Sequence, residues 1–412
     1  MKGARTFAAL RHRDFRLFWA GLTLSLVGGW MQQVAAPWLV YRLTGSALAL
    51  GLVAFVAVVP AAPLSLVAGP LLDRLLRRPV LIACQVGLLL PPLSIAVLIW
   101  TGHIQVWHVV AAEVVRGVVS TFDQPAKQVA IVDMTGKEDA ASAVALWMAA
   151  INVAKVVGPA IAGVVVAVVG EGLCFFLNGL SFLAVIGALL AIRLPGAART
   201  ERPRSLAGSL ADGVRYLTGE RLLLAVAVLP LLAGFFVRPF QTLLPVFADD
   251  VLAAGARGLG FLNAAVGAGA LLGALGAGSV RRGRQWLVAV VVALLLPAAT
   301  AGFAFSRSFP WACALLVVTG GLLVSVETLA GSLLLTGVRD EFRGRVMSLF
   351  SAAAMGLPRV GGLGAGWLAG VLGAPLALSL GALAALVCTG PVAWIIVAAG
   401  RRQPRLLTGE QA

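Results

Sequence analysis

Six charged side chains lie within stretches of the sequence that are otherwise almost entirely apolar. If these stretches cross a bilayer, each charge costs about 2.5–3.5 kcal/mol on insertion scales, so such groups normally face a cavity or a partner. A carboxylate there can carry a proton, and a basic group can bind an anion or neutralise the carboxylate. The six residues are Glu113, Arg116, Lys155, Arg238, Glu327 and Arg359.

Each of these charges has a structural and a chemical interpretation. Glu113 and Arg116 are three residues apart, so they share a helical face and can neutralise each other. Glu327 has no basic neighbour in its own apolar stretch. Burial of a carboxyl group without a counter-charge favours the protonated form, which a proton carrier needs. Arg238 precedes Pro239, where a kink would free carbonyl groups to accept its hydrogen bonds.

Two further basic residues lie deep in their stretches. Lys155 and Arg359 are about a dozen residues from the nearest predicted loop, or about 18 Å at the helical rise of 1.5 Å per residue. They can bind a ligand, or they can be held by backbone carbonyls. Three glutamines, Gln32, Gln33 and Gln241, add hydrogen-bonding capacity. We predict that these nine residues form a substrate cavity with a proton-coupling group.

The composition excludes a soluble protein. Of 412 residues, 60% are hydrophobic and 12% are charged, and the mean hydropathy is +0.97. Soluble domains carry about 25% charged residues. The four cysteines have neither metal-ligand spacing nor a paired framework, so we interpret them as small buried hydrophobic residues.

Twelve apolar runs approach or exceed the length of about 20 residues that a bilayer crossing needs. They are continuous rather than alternating, which favours helices over a barrel. The predicted fold is an all-α polytopic membrane protein with two six-helix halves, at 1–193 and 221–412, joined by a cytoplasmic linker at 194–220. The runs are 17–41, 47–72, 79–101, 105–125, 141–169, 172–193, 221–247, 258–280, 286–306, 310–336, 346–372 and 375–399.

Basic residues are distributed unequally between the two sides of the predicted bundle. Of the 32 Lys and Arg, only Arg42, Arg257 and Arg307 fall in loops on the side away from the N-terminus. The other loop residues, Lys127 among them, lie on the N-terminal side. The positive-inside rule therefore places both termini in the cytoplasm. This bias explains the pI of about 11.3 without a nucleic-acid partner, and it predicts a bacterial-type inner-membrane protein.

The second half of the chain repeats the first. Residues 143–170 align with 346–373 at an offset of 203, and the identical pairs include Gly158/Gly361, Gly163/Gly366 and Gly170/Gly373. Both segments begin on the same predicted side, so the repeat is parallel. Parallel repeats of six-helix halves are known in secondary transporters.

Two short motifs resemble those of the major facilitator superfamily. The loop GPLLDRLLRRP at 69–79 is similar to its signature G-x-x-x-D-R-x-G-R-R, with Leu76 where glycine is usual. The segment GPAIAG at 158–163 is similar to the GPxxGG antiporter motif, with Ala162 in place of a glycine. The matching residues are Gly69, Asp73, Arg74, Arg77 and Arg78 in the loop, and Gly158, Pro159 and Gly163 in the antiporter motif.

Longer segments resemble one branch of this superfamily, which contains the enterobactin exporter and macrolide-efflux proteins. They are FRLFWAGLTLSLVGGW, PWLVYRLTGSALALGLV and RDEFRGRVMSLF. The resemblance implies alternating access, with two halves that rock about a central site. It also implies a cytoplasmic gate in which Asp73 interacts with the start of the eleventh helix, near Arg343 and Arg345. The antiporter motif would let the fifth and eighth helices pack closely.

We therefore predict a secondary transporter that exports a small amphipathic, drug-like or siderophore-like molecule by proton antiport, without a cofactor. A uniporter, or a lipid or lysolipid flippase on the same scaffold, is the alternative. The chain contains no HExxH, GxSxG or P-loop motif, which argues against an enzyme and against direct use of ATP. The expected partners are the substrate and the bilayer, and the expected oligomeric state is a monomer.

Overall fold

The computed structural model describes residues 7–61, 63–64, 71–72, 75–192 and 206–402. Within these ranges every regular element is a helix, which confirms the all-α prediction. Nine of the described helices are long and apolar enough to cross a membrane, so a polytopic membrane protein is confirmed. The count of twelve spans and the division into halves stay predictions.

The helices are numbered here in chain order. They are α1 (Arg13–Thr44), α2 (Ala47–Val56), α3 (Arg77–Trp100), α4 (Val106–Val168), α5 (Glu171–Ala191), α6 (Leu206–Gly219), α7 (Arg221–Leu232), α8 (Phe240–Val246), α9 (Gly255–Ser279), α10 (Gln285–Phe305), α11 (Phe309–Gly337), α12 (Asp340–Leu372) and α13 (Ala374–Arg402).

The chain packs as two compact units. Unit 1 contains Met1–Gly45, Val56–Arg202 and Gly255–Ala264. In it, α1 packs against α4 and α5, and α3 packs against the same two helices. Its core is formed by large apolar side chains of all four helices: Phe15, Phe18, Leu81, Trp147, Val185 and Leu189.

Unit 2 contains Ser46–Phe55, Pro203–Ala254 and Ala265–Ala412. Here α10 packs against α11 and α13, while α7 packs against α11 and α13. The core includes Leu223, Val290, Leu329 and Ile396, one from each of these helices. The described part of the predicted linker contains a helix, α6, which the sequence analysis did not identify.

Helix α4 is 63 residues long and consists of two helices that meet at Gly136. Gly136 has φ 68° and ψ 173°, a backbone conformation that glycine adopts without the steric cost of a side chain. The hydropathy pattern ended the fourth span at residue 125, but the backbone stays helical beyond it. The assignment of Lys127 to a loop was therefore wrong: it lies in α4 and is buried.

The helical stretch Arg221–Val251 is interrupted twice by π-helical turns, at Ala233–Val237 and Phe247–Val251. In the first, the Arg238 amide donates to the Ala233 carbonyl, five residues back, at 2.9 Å. Pro239 has no N–H, so it cannot donate to the Phe235 carbonyl. Single π-helical turns within α-helices often mark functional sites.

Two pairs of glycines at the predicted offset of 203 residues have comparable local structure. Gly170 and Gly373, an aligned pair, both follow long helices and both have positive φ, at 99° and 85°. A second aligned pair mediates close packing within each unit: Gly158 lies against Trp30 of α1, and Gly361 lies against the Phe235 carbonyl. Positions 203 residues apart therefore share backbone conformation or packing as well as residue type.

The close packing expected of the GPAIAG segment is present within unit 1. A Cβ atom added at Gly163 would lie 2.7 Å from the Cα of Gly260, and one added at Gly260 would meet the Pro159 carbonyl at 2.7 Å. The backbones of α4 and the start of α9 therefore touch. Small residues allow this approach in membrane proteins, where packing rather than hydrophobic burial drives helix association.

We predict that Gly163→Ala lowers the midpoint of thermal unfolding in detergent or nanodiscs. The added methyl group must separate two backbones, and overpacking costs about 1–3 kcal/mol. Gly187→Ala in α5 is the matched control, because an added Cβ there meets nothing within 4 Å. Without a clash, alanine favours a helix by about 0.5–1 kcal/mol. Equal midpoints for the two variants would contradict the proposed contact.

Candidate functional site

Arg238 and Glu327 form an ion pair within unit 2. The Arg238 Nη2 atom donates to Glu327 Oε1, which joins the segment between the first π-helical turn and α8 to the middle of α11. The two side chains are 30% and 32% exposed. The expectation that Glu327 lacks a counter-charge was wrong, because its partner comes from another helix. Within the described ranges, Arg238 Nε is buried and has no hydrogen-bond partner.

Two other predicted residues lie in the same unit. Gln241 lies in the first turn of α8, and its backbone N–H donates to the Arg238 carbonyl at 3.0 Å. Arg359 lies in α12, and its Nη1 atom donates to the Ala54 carbonyl of α2 at 3.5 Å. This contact agrees with the interpretation that a backbone carbonyl helps to hold Arg359.

In unit 1, Glu113 and Arg116 pair within α4, as their spacing indicated. Arg116 donates to Glu113 Oε2 through Nε at 2.8 Å and also through Nη2. The Nζ atom of Lys155 lies 5.6 Å from the centre of the Trp30 ring, within cation–π range. The Cβ atom of Trp30 also lies close to Gly158, so α1 and α4 approach each other closely near Lys155.

The two glutamines of α1 have different surroundings. Gln32 is buried, and its Oε1 atom accepts a hydrogen bond from Asn178 Nδ2 of α5. The next residue, Gln33, is exposed. Only Gln32 therefore belongs to a buried polar contact. Asn178 was not identified from the sequence, since a single asparagine in an apolar run gives no pattern.

Only part of the predicted cytoplasmic gate lies among the described residues. Gly69, Asp73 and Arg74 lie outside them. Arg77 pairs with Asp133 of α4, and Arg78 donates to the Leu190 carbonyl at 2.7 Å.

The gate residues of α12 also have acidic partners. Arg343 pairs with Asp340, one helical turn earlier. Arg345 reaches Asp212 of α6, with 3.0 Å between Nη1 and Oδ2. The structure thus ties the two arginines to different elements.

The most deeply buried ion pair among the described residues was not predicted from the sequence. Lys127 Nζ and Asp123 Oδ2 are 2.6 Å apart, and their side chains are 10% and 2% exposed. Gln85 of α3 donates to the other carboxylate oxygen at 2.6 Å. Within the described ranges the Gln85 carbonyl oxygen is buried without a partner. The available signal was the four-residue spacing of Asp123 and Lys127, which places them on one helical face.

Ionisable residues that are paired within and between apolar helices often mark a substrate or ion pathway in a membrane protein. The family model described as transmembrane secretion effector matches residues 4–399, so the chain belongs to this family of the major facilitator superfamily. Its members and relatives are transporters rather than enzymes. The resemblance inferred from the sequence is confirmed.

Individual relatives agree with this assignment. The chain is 28% identical over 386 residues to the multidrug efflux pump Tap of Mycobacterium tuberculosis, with 90% of each chain covered. It is 22% identical over 356 residues to macrolide efflux protein A of Streptococcus pyogenes, covering 81% of this chain and 84% of that protein. The solved structure of the nucleoside transporter NupG has a TM-score of 0.71 at 12% identity and covers 93% and 98% of the two chains.

We predict that Lys127→Met strongly destabilises the protein, because it leaves the Asp123 carboxylate buried without a counter-charge. Breaking a buried pair in this way costs about 3–5 kcal/mol. The double variant Asp123→Asn/Lys127→Met removes both charges and keeps an oxygen for Gln85, so most of the stability returns. Thermal unfolding in nanodiscs measures both. If the single and double variants unfold at the same temperature, the ion pair does not determine the stability of this region.

Proposed function

We propose that this chain is a proton-driven exporter of a small amphipathic molecule that works by alternating access. The family assignment and the efflux relatives support export as the general activity. The observation that carries proton coupling is the Arg238–Glu327 pair, since it places a partly exposed carboxylate beside an interrupted helix.

The chemistry of this pair suits an exchange of proton for substrate. Protonation of Glu327 removes its negative charge, so Arg238 loses its ionic partner. Ionised Glu327 instead accepts hydrogen bonds from Arg238 or from a donor group on the substrate. Proton and substrate then favour different states of one carboxyl group. Such differential affinity is what allows one ligand to displace the other.

The second intramembrane carboxyl, Glu113, is an alternative proton carrier. The Glu113 side chain is 13% exposed, compared with 32% for Glu327, and both N–H donors of Arg116 bond to its Oε2 atom. We assign it the lesser role because it is less accessible. Polar contacts to the substrate are proposed for Lys155, Gln32, Gln33, Gln241 and Arg359, of which Gln33 is exposed and Gln32 is buried.

We propose twelve membrane spans, with both termini in the cytoplasm of a bacterial-type cell and the protein acting as a monomer. The helices that add to the nine apolar spans are α1, α2 and the first part of α4. The residues Arg13, Asp14 and Arg16 make the start of α1 polar, and α2 is ten residues long. The proposed cytoplasmic gate comprises Arg77, Arg78, Arg343 and Arg345, together with Gly69, Asp73 and Arg74.

The test is proton movement driven by candidate substrates in proteoliposomes, with catecholate siderophores, macrolides and lysolipids as the panel. We expect at least one compound to move protons across wild-type vesicles. Glu327→Gln abolishes this movement, because an amide cannot exchange the proton. Glu113→Gln retains most of it.

Asp249→Asn is the matched control, since it removes an exposed acid at the end of the same helical stretch as Arg238. It should transport like the wild type. Transport that needs no protons and persists in both glutamine variants would reject antiport and favour a uniporter or a lipid flippase. A Glu113→Gln variant that alone loses proton movement would move the carrier to unit 1.

A further inference from the structure

In unit 1, the segment that precedes α1 docks onto the second part of α4, just after the kink at Gly136. The Ala9 amide donates to Ser142 Oγ at 3.1 Å. The His12 Nε2 atom lies 2.9 Å from Asp139 Oδ2, and Arg11 Nη2 lies 3.4 Å from the same oxygen. The segment contains a short 3-10 helix, Ala8–Arg11, and Ala9 in it is fully buried, so the segment packs against its neighbours.

In unit 2, helix α6 docks onto the start of α12. Asp212 and Arg345 form an ion pair with 3.0 Å between oxygen and nitrogen. One turn further along α6, the Tyr216 ring stacks on Phe342 with the ring centres 4.5 Å apart and the planes 9° from parallel. Gly213 lies between these two contacts and packs against Arg345.

The guanidinium groups of two arginines also lie close to these rings. The Arg339 guanidinium lies 5.1 Å from the ring centres of Tyr216 and Phe342. The Arg345 guanidinium lies 5.5 Å from the Phe342 ring. Contacts of this kind are individually weak at exposed sites, but here they act on the same two rings. The start of α12 is thus attached to α6 by an ion pair, a ring stack and cation–π contacts.

The two docking contacts occupy equivalent positions in the repeat. At the offset of 203 residues, Ala9 corresponds to Asp212, and Ser142 corresponds to Arg345. The equivalent residues also make equivalent contacts: Ala9 hydrogen-bonds to Ser142, and Asp212 forms an ion pair with Arg345. Asp139 corresponds to Phe342 at this offset. Asp139 contacts His12, and Phe342 stacks on Tyr216, which lies one position from the residue equivalent to His12. The chemistry differs completely, but the place of contact is the same.

We infer that the segment before α1 and helix α6 are equivalent struts that set the positions of α4 and α12 during transport. The two supported helices carry Lys155 and Arg359, and an α-helix transmits a displacement of its start along its length. Asp139, Asp212 and Tyr216 are therefore positioning residues, and the struts stay docked throughout the cycle. The transport part of this inference rests on the proposed function.

The first test compares variants that loosen each strut with neighbours that do not. Asp139→Asn and Tyr216→Ala are expected to reduce the turnover of transport by about fivefold or more, with little change in KM because no substrate contact is removed. The matched controls are Glu138→Gln and Arg215→Gln, which alter exposed side chains one position away. Loosened variants that transport like the controls would overturn the inference. A change confined to KM would also overturn it.

The second test decides whether the unit 2 contact stays docked. A Cβ atom built at Gly213 lies 3.3 Å from the Cβ of Arg345, close to the separation of about 3.5–4.5 Å in a disulfide. Gly213→Cys/Arg345→Cys, in a chain whose four native cysteines are replaced by serine, loses the ion pair when reduced and is docked when oxidised. Both forms lack the Arg345 side chain of the proposed gate, so we compare them with each other and expect higher turnover in the oxidised form than in the reduced form. If oxidation instead blocks transport and a reductant releases it, the contact is a clasp that must open.

A third measurement needs no substrate, so it separates this inference from the proposed function. Hydrogen exchange in nanodiscs should show faster exchange at 137–145 in Asp139→Asn and at 340–348 in Tyr216→Ala, each relative to its control. Unchanged exchange would overturn the struts even if transport were confirmed. Faster local exchange in a protein that transports nothing on the panel would support the docking and count against the proposed function.

Discussion

The rest of this structure depends on the high free energy of an unpaired charge among apolar helices. The resulting pairs are made in two ways. Glu113 with Arg116 and Asp123 with Lys127 pair along one helix, where a spacing of three or four residues is enough. Arg238 and Glu327 pair between helices, so their contact also fixes the helices. In the proposed mechanism one proton breaks the pair between helices, so protonation and helix movement are linked.

Close backbone contact is the second constraint, and glycine supplies it at particular positions. Gly163 and Gly260 let α4 touch the start of α9, and Gly361 lets α12 touch the Phe235 carbonyl. That carbonyl has no helical hydrogen-bond donor, because Pro239 lacks an N–H. The π-helical turn Ala233–Val237 lies at the same interruption of the helix. The interruption that presents Arg238 is therefore held in place by packing from α12.

Hydropathy and charge spacing predicted the helical membrane fold and the pairing of Glu113 with Arg116, and the resemblance to the antiporter motif implied the close packing at GPAIAG. They failed where the relevant property is three-dimensional. Glu327 and Arg238 are 89 residues apart in the chain, so no local pattern joins them. Lys127 was placed in a loop because a polar segment surrounds it, yet the helix continues through that segment and buries the side chain against Asp123.

In both units a docking contact is found at positions 203 residues apart, but the chemistry of the contact differs. A backbone amide and a serine hydroxyl make the contact at Ala9 and Ser142, whereas two charged side chains make it at Asp212 and Arg345. The two pairs share no residue type, so a comparison of residue types would not identify them as equivalent. We infer that the position of the contact is constrained because the second part of α4 and α12 each need support where they begin, and several chemistries can supply it. If Glu327 is the proton carrier we propose, residue identity is constrained more tightly there, because only an ionisable group can exchange a proton.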